Sequence, residues 1–310
     1  MDEIDIIPPA SDTVWPLGPT RPDIEPPAPG EAPAGPAAGP SRGILAEWAL
    51  WGKEGDETSY HVLRCSGGGL REKDFSEVIT RYSPGELEGL PQYTVSWIPG
   101  VNREPEYIAL GLHELAPADP RQAAGRSRKD AAGRDIVFVR LFCVRYTELA
   151  EHVLAYQDQV IGYLDLMKAV AGIQLPAGRT EQVRITLPDD PSSIFGRGTF
   201  RKQAEQVAAM LLTGRQVCVL GADDVKVAER LRFIDTVMAM LPYGLRATMS
   251  AATSASSTSQ DLKLRLFFAG VPRAGGRLAS GRPRGEDFLV EWGKLDEIDI
   301  ADQAAGLYKQ

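Results

Sequence analysis

The sequence predicts an α+β fold of mixed α/β character, with antiparallel-rich sheets packed by one long and two shorter helices behind a disordered Pro-rich N-terminal tail. Strand-like segments come first, then alternate with helical segments, and then follow one another again, an order that favours α+β over a doubly wound parallel sheet. Apolar residues recur every three or four positions from 149 to 170, the stripe of a long helix. Eleven of the 23 prolines lie within residues 7–40.

Residues 1–42 are predicted to be a disordered Pro/Ala/Gly-rich acidic tail, because proline removes backbone donors and fixes φ. Residues 1–40 hold seven acidic residues and one basic residue, Arg21, so six of the eight net negative charges lie there. The rest of the chain is nearly neutral, which argues against general nucleic-acid binding. The tail is interpreted as a spacer, with a ligand for a proline-binding module as the alternative.

Order begins near Ile44, and residues 43–300 are predicted to form one composite α+β domain. A division into two halves, 43–146 and 147–300, fits the pattern equally well. Alternating apolar residues and β-branched content predict four strands in the first half, at 60–65, 93–98, 106–115 and 135–146, with a short helix at 74–80.

The second half is predicted to open with a helix of about 24 residues from 149 to 172, which Gly172 ends. Two strand–helix pairs follow, and the chain then returns to strands at 245–253, 262–269 and 288–292. The two pairs are strand 183–187 with helix 199–213, and strand 216–220 with helix 224–241. Residues 301–310 are interpreted as the start of a C-terminal helix or a linker, and the chain as one part of a longer protein.

Cellular location follows from three features of the sequence. Cys65, Cys143 and Cys218 are odd in number, widely spaced and set in apolar runs, so buried free thiols are expected rather than disulfides or a zinc site. No apolar run approaches the roughly 20 residues that a transmembrane helix needs. The N-terminus is acidic, whereas a secretory signal begins with basic residues. A cytoplasmic protein is expected.

Phosphate-binding loops are the first chemistry to test, because strand–helix junctions are present. No G-x-x-x-x-G-K-[ST] string occurs, and Gly67-Gly68-Gly69 lacks the lysine that holds a phosphate. A second glycine pair with nearby bases precedes a predicted helix, whose N-terminus could hold an anion. The residues of this candidate anion site are Gly196, Arg197, Gly198, Arg201 and Lys202. An ordinary strand–helix loop is the alternative.

Acid–base and metal sites have weaker support. His113 and Glu114 at a strand end would form a polar site if Asp189 or Asp190 came close, and partly exposed polar residues are the alternative. No histidine pair has ligand spacing, and no serine lies in a G-x-S-x-G elbow. The sequence therefore assigns no catalytic residue, no metal site and no cofactor.

One segment carries a family resemblance. Residues 231–235 read L-R-F-I-D, residues 241–246 read L-P-Y-G-L-R, residues 250–253 read S-A-A-T, and residues 264–269 read L-R-L-F-F-A. Together with residues 60–63 and 90–93, these strings resemble the N-terminal region of the bacterial GTPase-associated proteins, which accompany GTPases in NTP-dependent conflict systems. The resemblance covers about 45–300 and brings no catalytic residues with it.

The resemblance implies a non-enzymatic interaction or regulatory module whose partner is a GTPase or an effector module. The absence of local catalytic motifs and the presence of the tail agree with that expectation. Two alternatives stay open: a hydrolase without a recognisable local motif that uses His113, Glu114 and Asp189, and an anion- or nucleotide-sensing domain that uses Arg197, Arg201 and Lys202.

Overall fold

The protein is described from a computed structural model, and all of the described residues belong to one compact unit, residues 40–310. The described residues are 43–54, 59–83, 89–98, 106–116, 129–150, 162–176, 182–187, 200–255, 263–270 and 288–297. The predicted tail (1–42) and the predicted C-terminal segment (301–310) lie outside them. None of the described helices combines the length and the apolar character that crossing a membrane requires.

Ten strands of the described residues form one sheet. In chain order they are β1 (Gly43–Gly52), β2 (His61–Cys65), β3 (Gln92–Ile98), β4 (Tyr107–Leu115), β5 (Val137–Arg145), β6 (Val183–Thr186), β7 (Val217–Leu220), β8 (Ala251–Ala252), β9 (Leu266–Ala269) and β10 (Phe288–Glu291). Their order across the sheet is β10-β7-β9-β8-β3-β4-β5-β1-β2, and β6 pairs with the first residues of β1. The sheet therefore joins strands from both halves of the sequence.

The sheet has an antiparallel half and a parallel half. Strands β3, β4, β5, β1 and β2 pair antiparallel, with a bulge between Leu50 and Trp51 of β1. Strands β10, β7, β9 and β8 pair parallel. The halves meet where β3 pairs antiparallel with β8. Because parallel strands need a crossover connection, helices lie between strands in this part of the chain.

Helices cover both faces of the sheet. They are α1 (Glu72–Tyr82), α2 (Tyr146–Ala150), α3 (Tyr163–Ala171), α4 (Arg201–Leu212), α5 (Val227–Met240) and α6 (Tyr243–Ala247), and a 3₁₀ helix spans Trp292–Glu297. Helices α3, α4 and α5 pack on what we call the first face, where Trp48, Phe142 and Phe233 are fully buried. Helix α1 packs on the second face, where Phe75 and Ala109 belong to one buried apolar cluster. The alternation of strand side chains supplies both faces.

The mixed fold with an antiparallel-rich sheet is confirmed, and most strand boundaries fall within two residues of those predicted. The three cysteines are free and buried, as expected. Residues 43–52 are not predicted to be a strand, although β1 is ten residues long and pairs with β2, β5 and β6. Trp48 and Trp51 are three residues apart, which is a helical spacing. The strand also lacks an alternating pattern, because it is buried on both faces along most of its length.

The prediction of one long helix from 149 to 172 is wrong. Gly162 has extended backbone angles (φ −82°, ψ 166°), and α3 begins at Tyr163. The cause is Asp235 of α5, whose carboxylate accepts the first free N–H groups of α3, from Tyr163 at 2.6 Å and Leu164 at 3.0 Å. A Cβ on residue 162 would lie 2.6 Å from that carboxylate, so glycine is required here. This carboxylate caps α3 across the helix interface.

The predicted strand at 245–253 is wrong over its first part. Residues 243–247 form α6 instead, and β8 consists of Ala251 and Ala252 alone. The carbonyl of Pro242 accepts the N–H groups of Leu245 and Arg246, which starts a helical turn directly after proline. The apolar spacing of this segment therefore belongs to a buried turn.

Candidate functional site

The structure separates His113 from Glu114. Because neighbouring side chains of a strand point to opposite faces, His113 of β4 lies on the second face and Glu114 on the first. Glu114 accepts two hydrogen bonds from the Arg140 guanidinium, at 2.6 and 3.0 Å. Asp189 and Asp190 lie outside the described residues. The structure thus does not bring together the two members of the predicted polar site that it describes.

His113 is fully enclosed. Its side chain is 2% exposed, and its Nε2 atom lies 3.5 Å from the hydroxyls of Ser83 and Thr94. Burial lowers the pKa of His113 to about 4, so the imidazole is neutral at physiological pH. A Cβ on the facing Gly111 would overlap the Thr94 hydroxyl, so glycine makes room for the threonine. A neutral base next to a serine is a hydrolase element, but His113 is buried, and Ser83 beside it is half-buried.

A second polar group joins the two halves of the sheet. The Thr253 hydroxyl donates to the side-chain Oε1 of Gln92 at 2.6 Å and accepts the backbone N–H of Tyr93 at 2.9 Å. The Gln92 amide donates to the carbonyl of Gly89 at 2.7 Å. All of these partners belong to the protein's own backbone or side chains, so the group fixes the β3–β8 junction.

The carboxylate of Glu47 lies in the turn formed by Gly67-Gly68-Gly69, which was considered above as a phosphate-binding loop. Its carboxylate, 1% exposed on β1, accepts from the Ser66 hydroxyl at 2.5 Å, the Gly69 N–H at 2.8 Å and the Gln182 amide at 3.0 Å. A Cβ on Gly68 would overlap this carboxylate, which accounts for a glycine at that position. The turn therefore wraps an internal anion, and an anionic ligand would meet a negative charge there.

The polar residues of the L-P-Y-G-L-R and S-A-A-T strings bind the protein itself. The Arg246 guanidinium donates to the carbonyls of Ala239 and Leu241, which end α5. Asp235, just upstream in α5, caps α3 as described above, and burial raises its pKa to about 7 although two N–H donors oppose the shift. Thr253 holds the β3–β8 junction. These residues therefore organise the fold.

Arg230 is a buried cation that sequence reasoning missed. Its guanidinium donates to the carbonyls of Ala222 at 2.6 Å, Thr253 at 2.9 Å and Val225 at 3.1 Å. These bonds tie the loop after β7 to the end of β8. The sequence offers no signal for this role, because the acceptors are main-chain groups that any residue supplies.

The predicted anion site is described only in part. Gly196, Arg197 and Gly198 lie outside the described residues. Arg201 and Lys202 are exposed in the first turn of α4, and Arg201 pairs with Glu205 at 3.2 Å. The site stays a prediction.

A solvent-accessible cavity lies at the carboxyl ends of β7 and β10. Its volume is about 250 Å³, and its described walls are Leu220, Gly221, Glu291, Trp292 and Gly293. In sheets with parallel strands, ligands bind outside the carboxyl ends of the strands. Residues 220 and 291 are far apart in sequence, so only the parallel pairing of β7 with β10 reveals the cavity.

Within the described residues, no three His, Cys, Asp or Glu side chains come together as a metal site. Comparison of the chain with protein-family models, with curated proteins and with solved structures gives no match.

Proposed function

We propose that this protein is a non-enzymatic interaction or regulatory module, cytoplasmic, that acts with a GTPase or effector protein in a bacterial conflict or signalling system. The partner class comes from the resemblance of residues 231–269 to the GTPase-associated proteins. The non-enzymatic role is inferred from the polar residues of this segment, which bind the protein's own backbone.

One observation carries the proposal: the polar side chains of the resembling segment donate to or accept from the protein's own backbone. Arg246 closes the end of α5, Asp235 caps α3, and Thr253 links β3 to β8. If the resembling proteins had this segment in common for catalysis, its polar side chains would point into an accessible cleft. If they have it in common for folding, those side chains point into the protein, as they do here.

The hydrolase alternative has less support. The geometry places Ser83 next to His113 at 3.5 Å, but His113 is 2% exposed and Glu114 binds Arg140 on the other face of the sheet. A nucleophile and a base need a common opening to a substrate. Among the described residues, the candidate base is buried while the candidate nucleophile Ser83 is half-buried, and the acid of the predicted site lies on the other face.

Affinity capture tests the proposal. The full chain, tagged at its C-terminus, would be expressed in the bacterium that carries its gene, and captured proteins would be identified after reversible cross-linking. We expect a GTPase or an effector protein to be enriched over a capture with the tag alone. Equal recovery in both captures, or recovery of no partner, would contradict the proposal.

A labelling experiment separates the module from the hydrolase. Purified full chain would be treated with a fluorophosphonate, which labels activated serines, next to the Ser83→Ala variant. Because the imidazole of His113 is buried at 2% exposure, we expect no labelling of either protein. Labelling of the native protein that disappears in the variant would favour the hydrolase.

A further inference from the structure

Three exposed side chains lie side by side on the second face of the sheet, near the start of β1. Leu45 of β1 is in register with Arg184 of β6 on one side. Arg145 of β5 lies on the other side, because Glu47 is in register with Cys143 and alternate residues of a strand share a face. Leu45 is 38% exposed, and both arginines are exposed. We call Arg184, Leu45 and Arg145 the arginine row.

The two arginines keep their positive charges available to a ligand. Arg184 donates to the carbonyl of Gly43 at 3.3 Å, and its side chain lies over this glycine, where a Cβ would come within 2.9 Å of it. Arg145 donates to the hydroxyl of Tyr107. Both acceptors are neutral, so these bonds hold the side chains in place without neutralising them.

The buried Glu47 carboxylate lies on the same face but does not fill the arginine row. It accepts its hydrogen bonds from Ser66, Gly69 and Gln182. It is 1% exposed, so an incoming ligand meets the two guanidiniums and Leu45 rather than this anion. Two like charges on either side of an exposed leucine favour an acidic ligand with an apolar part.

The spacing of the arginine row suits an extended segment that crosses the strands. Neighbouring strands lie about 4.8 Å apart, so the backbones that carry the two arginines are about 10 Å apart, with the leucine midway. In an extended segment, every second side chain points the same way, and the first and fifth are about 13 Å apart. Acidic side chains at these two positions are within reach of the long arginine side chains, and an apolar third residue lies on Leu45.

The charge of the folded part favours a protein segment over a nucleic acid. Six of the eight net negative charges lie in residues 1–40, so the remaining residues carry −2. A nucleic acid needs a broad basic surface along its backbone, which this balance does not supply. An exposed leucine between the bases offers an apolar contact that a phosphate backbone cannot use.

We propose that the arginine row binds an extended acidic segment of a partner protein, with one carboxylate at each arginine and an apolar side chain on Leu45. The row is then the surface that holds the partner protein. The proposal rests on the function proposed above for the identity of that partner alone.

Synthetic peptides test this chemistry on the ¹⁵N-labelled full chain. The first peptide has glutamate at positions one and five, leucine at position three and serine between them. The second has glutamine for both glutamates, and the third has serine for the leucine. We expect the first to shift the amide resonances of Leu45, Arg145 and Arg184 with millimolar affinity in about 50 mM NaCl, and to weaken several-fold in about 500 mM. The other two should bind several-fold more weakly. Equal binding of the glutamine peptide, tighter binding of a short oligothymidylate, or no shift would overturn the proposal.

Paired variants locate the binding. Arg145→Gln combined with Arg184→Gln should weaken binding of the first peptide about tenfold, because two exposed ion pairs are lost. The matched control combines Arg81→Gln with Arg232→Gln, which removes the same charge from exposed arginines of α1 and α5 and should leave the affinity unchanged. Equal losses in the two double variants would overturn the assignment. All four positions are exposed, and circular dichroism would verify folding.

The same double variant separates this proposal from the function proposed above. In the affinity capture, we expect the native chain to recover its partner and the variant with Arg145→Gln and Arg184→Gln to lose most of it. Equal recovery by the two proteins would overturn the arginine row and leave the module function standing. Recovery by neither would contradict the module function, and the peptide titration would still decide whether the row binds an acidic segment.

Discussion

The antiparallel and parallel halves of the sheet place their polar groups differently. In the antiparallel half, Glu47, Thr94 and His113 lie within strands and are buried on the second face. In the parallel half, all four residues of β7 are buried and apolar, and the carboxylate of Glu291 lies at the carboxyl end of β10. Parallel strands are covered on both faces, which leaves their ends as the place for polar side chains. Polar substitutions should therefore affect stability more in the antiparallel half, where the groups are buried, than at the exposed strand ends of the parallel half.

The largest expected effect tests the antiparallel half. Glu47→Ala removes the acceptor for three buried or half-buried donors, so the free energy of unfolding should fall by about 3 kcal/mol. Urea denaturation followed by circular dichroism measures the change. The control is Glu77→Ala on the exposed side of α1, where a change within about 0.5 kcal/mol is expected. Equal losses in the two variants would mean that the Glu47 cluster does not hold the glycine turn.

The pH dependence of stability should carry two opposing contributions. Burial raises the pKa of Asp235 from 3.8 to about 7, so its contribution is present below pH 3.8 and is lost as the pH rises through 7. Burial lowers the pKa of His113 from 6.5 to about 4, so its contribution is present above pH 6.5 and is lost as the pH falls through 4. Between pH 4 and 6.5, Asp235 makes the free energy of unfolding fall with rising pH, whereas His113 makes it rise.

Single variants should reveal each slope. In Asp235→Asn the histidine acts alone, and stability should rise with pH relative to the native protein, by on the order of 2 kcal/mol over this window. In His113→Gln the carboxylate acts alone, and stability should fall with pH by a similar amount. Asp165 and Lys168, the charges that face Asp235, are the same in all three proteins. Thermal unfolding at several pH values would contradict this account if all three curves ran parallel.

A smaller effect is expected at the junction of the two halves. Thr253→Ala leaves the Gln92 oxygen and the Tyr93 N–H without the hydroxyl that joins them, which should cost about 1.5 kcal/mol. Thr80→Ala is the matched control, because the Thr80 hydroxyl donates to the Ser76 carbonyl on an exposed helix face. If hydrogen exchange in the variant accelerated evenly over the molecule, and not first at β8 and β3, the junction would have no special role.

Local pattern predicted most of the fold but little of the site. Strand β5 was readable because its largely apolar run continues over nine residues, each paired with β4. The break before α3 was not readable, because the cause is Asp235, 72 residues away. The apolar stripe is the same whether the helix continues or restarts, and tertiary contacts decide between them.

The polar clusters show the same limit. The glycines at 67–69 were recognised as unusual, but the anion that they surround belongs to Glu47 on another strand. His113 and Glu114 are neighbours in sequence, and their alternation on β4 separates them in space. The cavity combines β7 with β10, whose pairing no local pattern indicates. Sites assembled from distant segments require the topology before they can be found.

The smallest expected effect concerns two glycines in the wall of the cavity. Gly221→Ala places a side chain at φ +72° and should cost about 1 kcal/mol of stability. Gly293→Ala adds a methyl group where no atom lies within 4 Å, and the change in stability should stay within about 0.5 kcal/mol. Chemical denaturation measures both. Equal losses of stability in the two variants would contradict the assignment of the strain to the positive φ of Gly221.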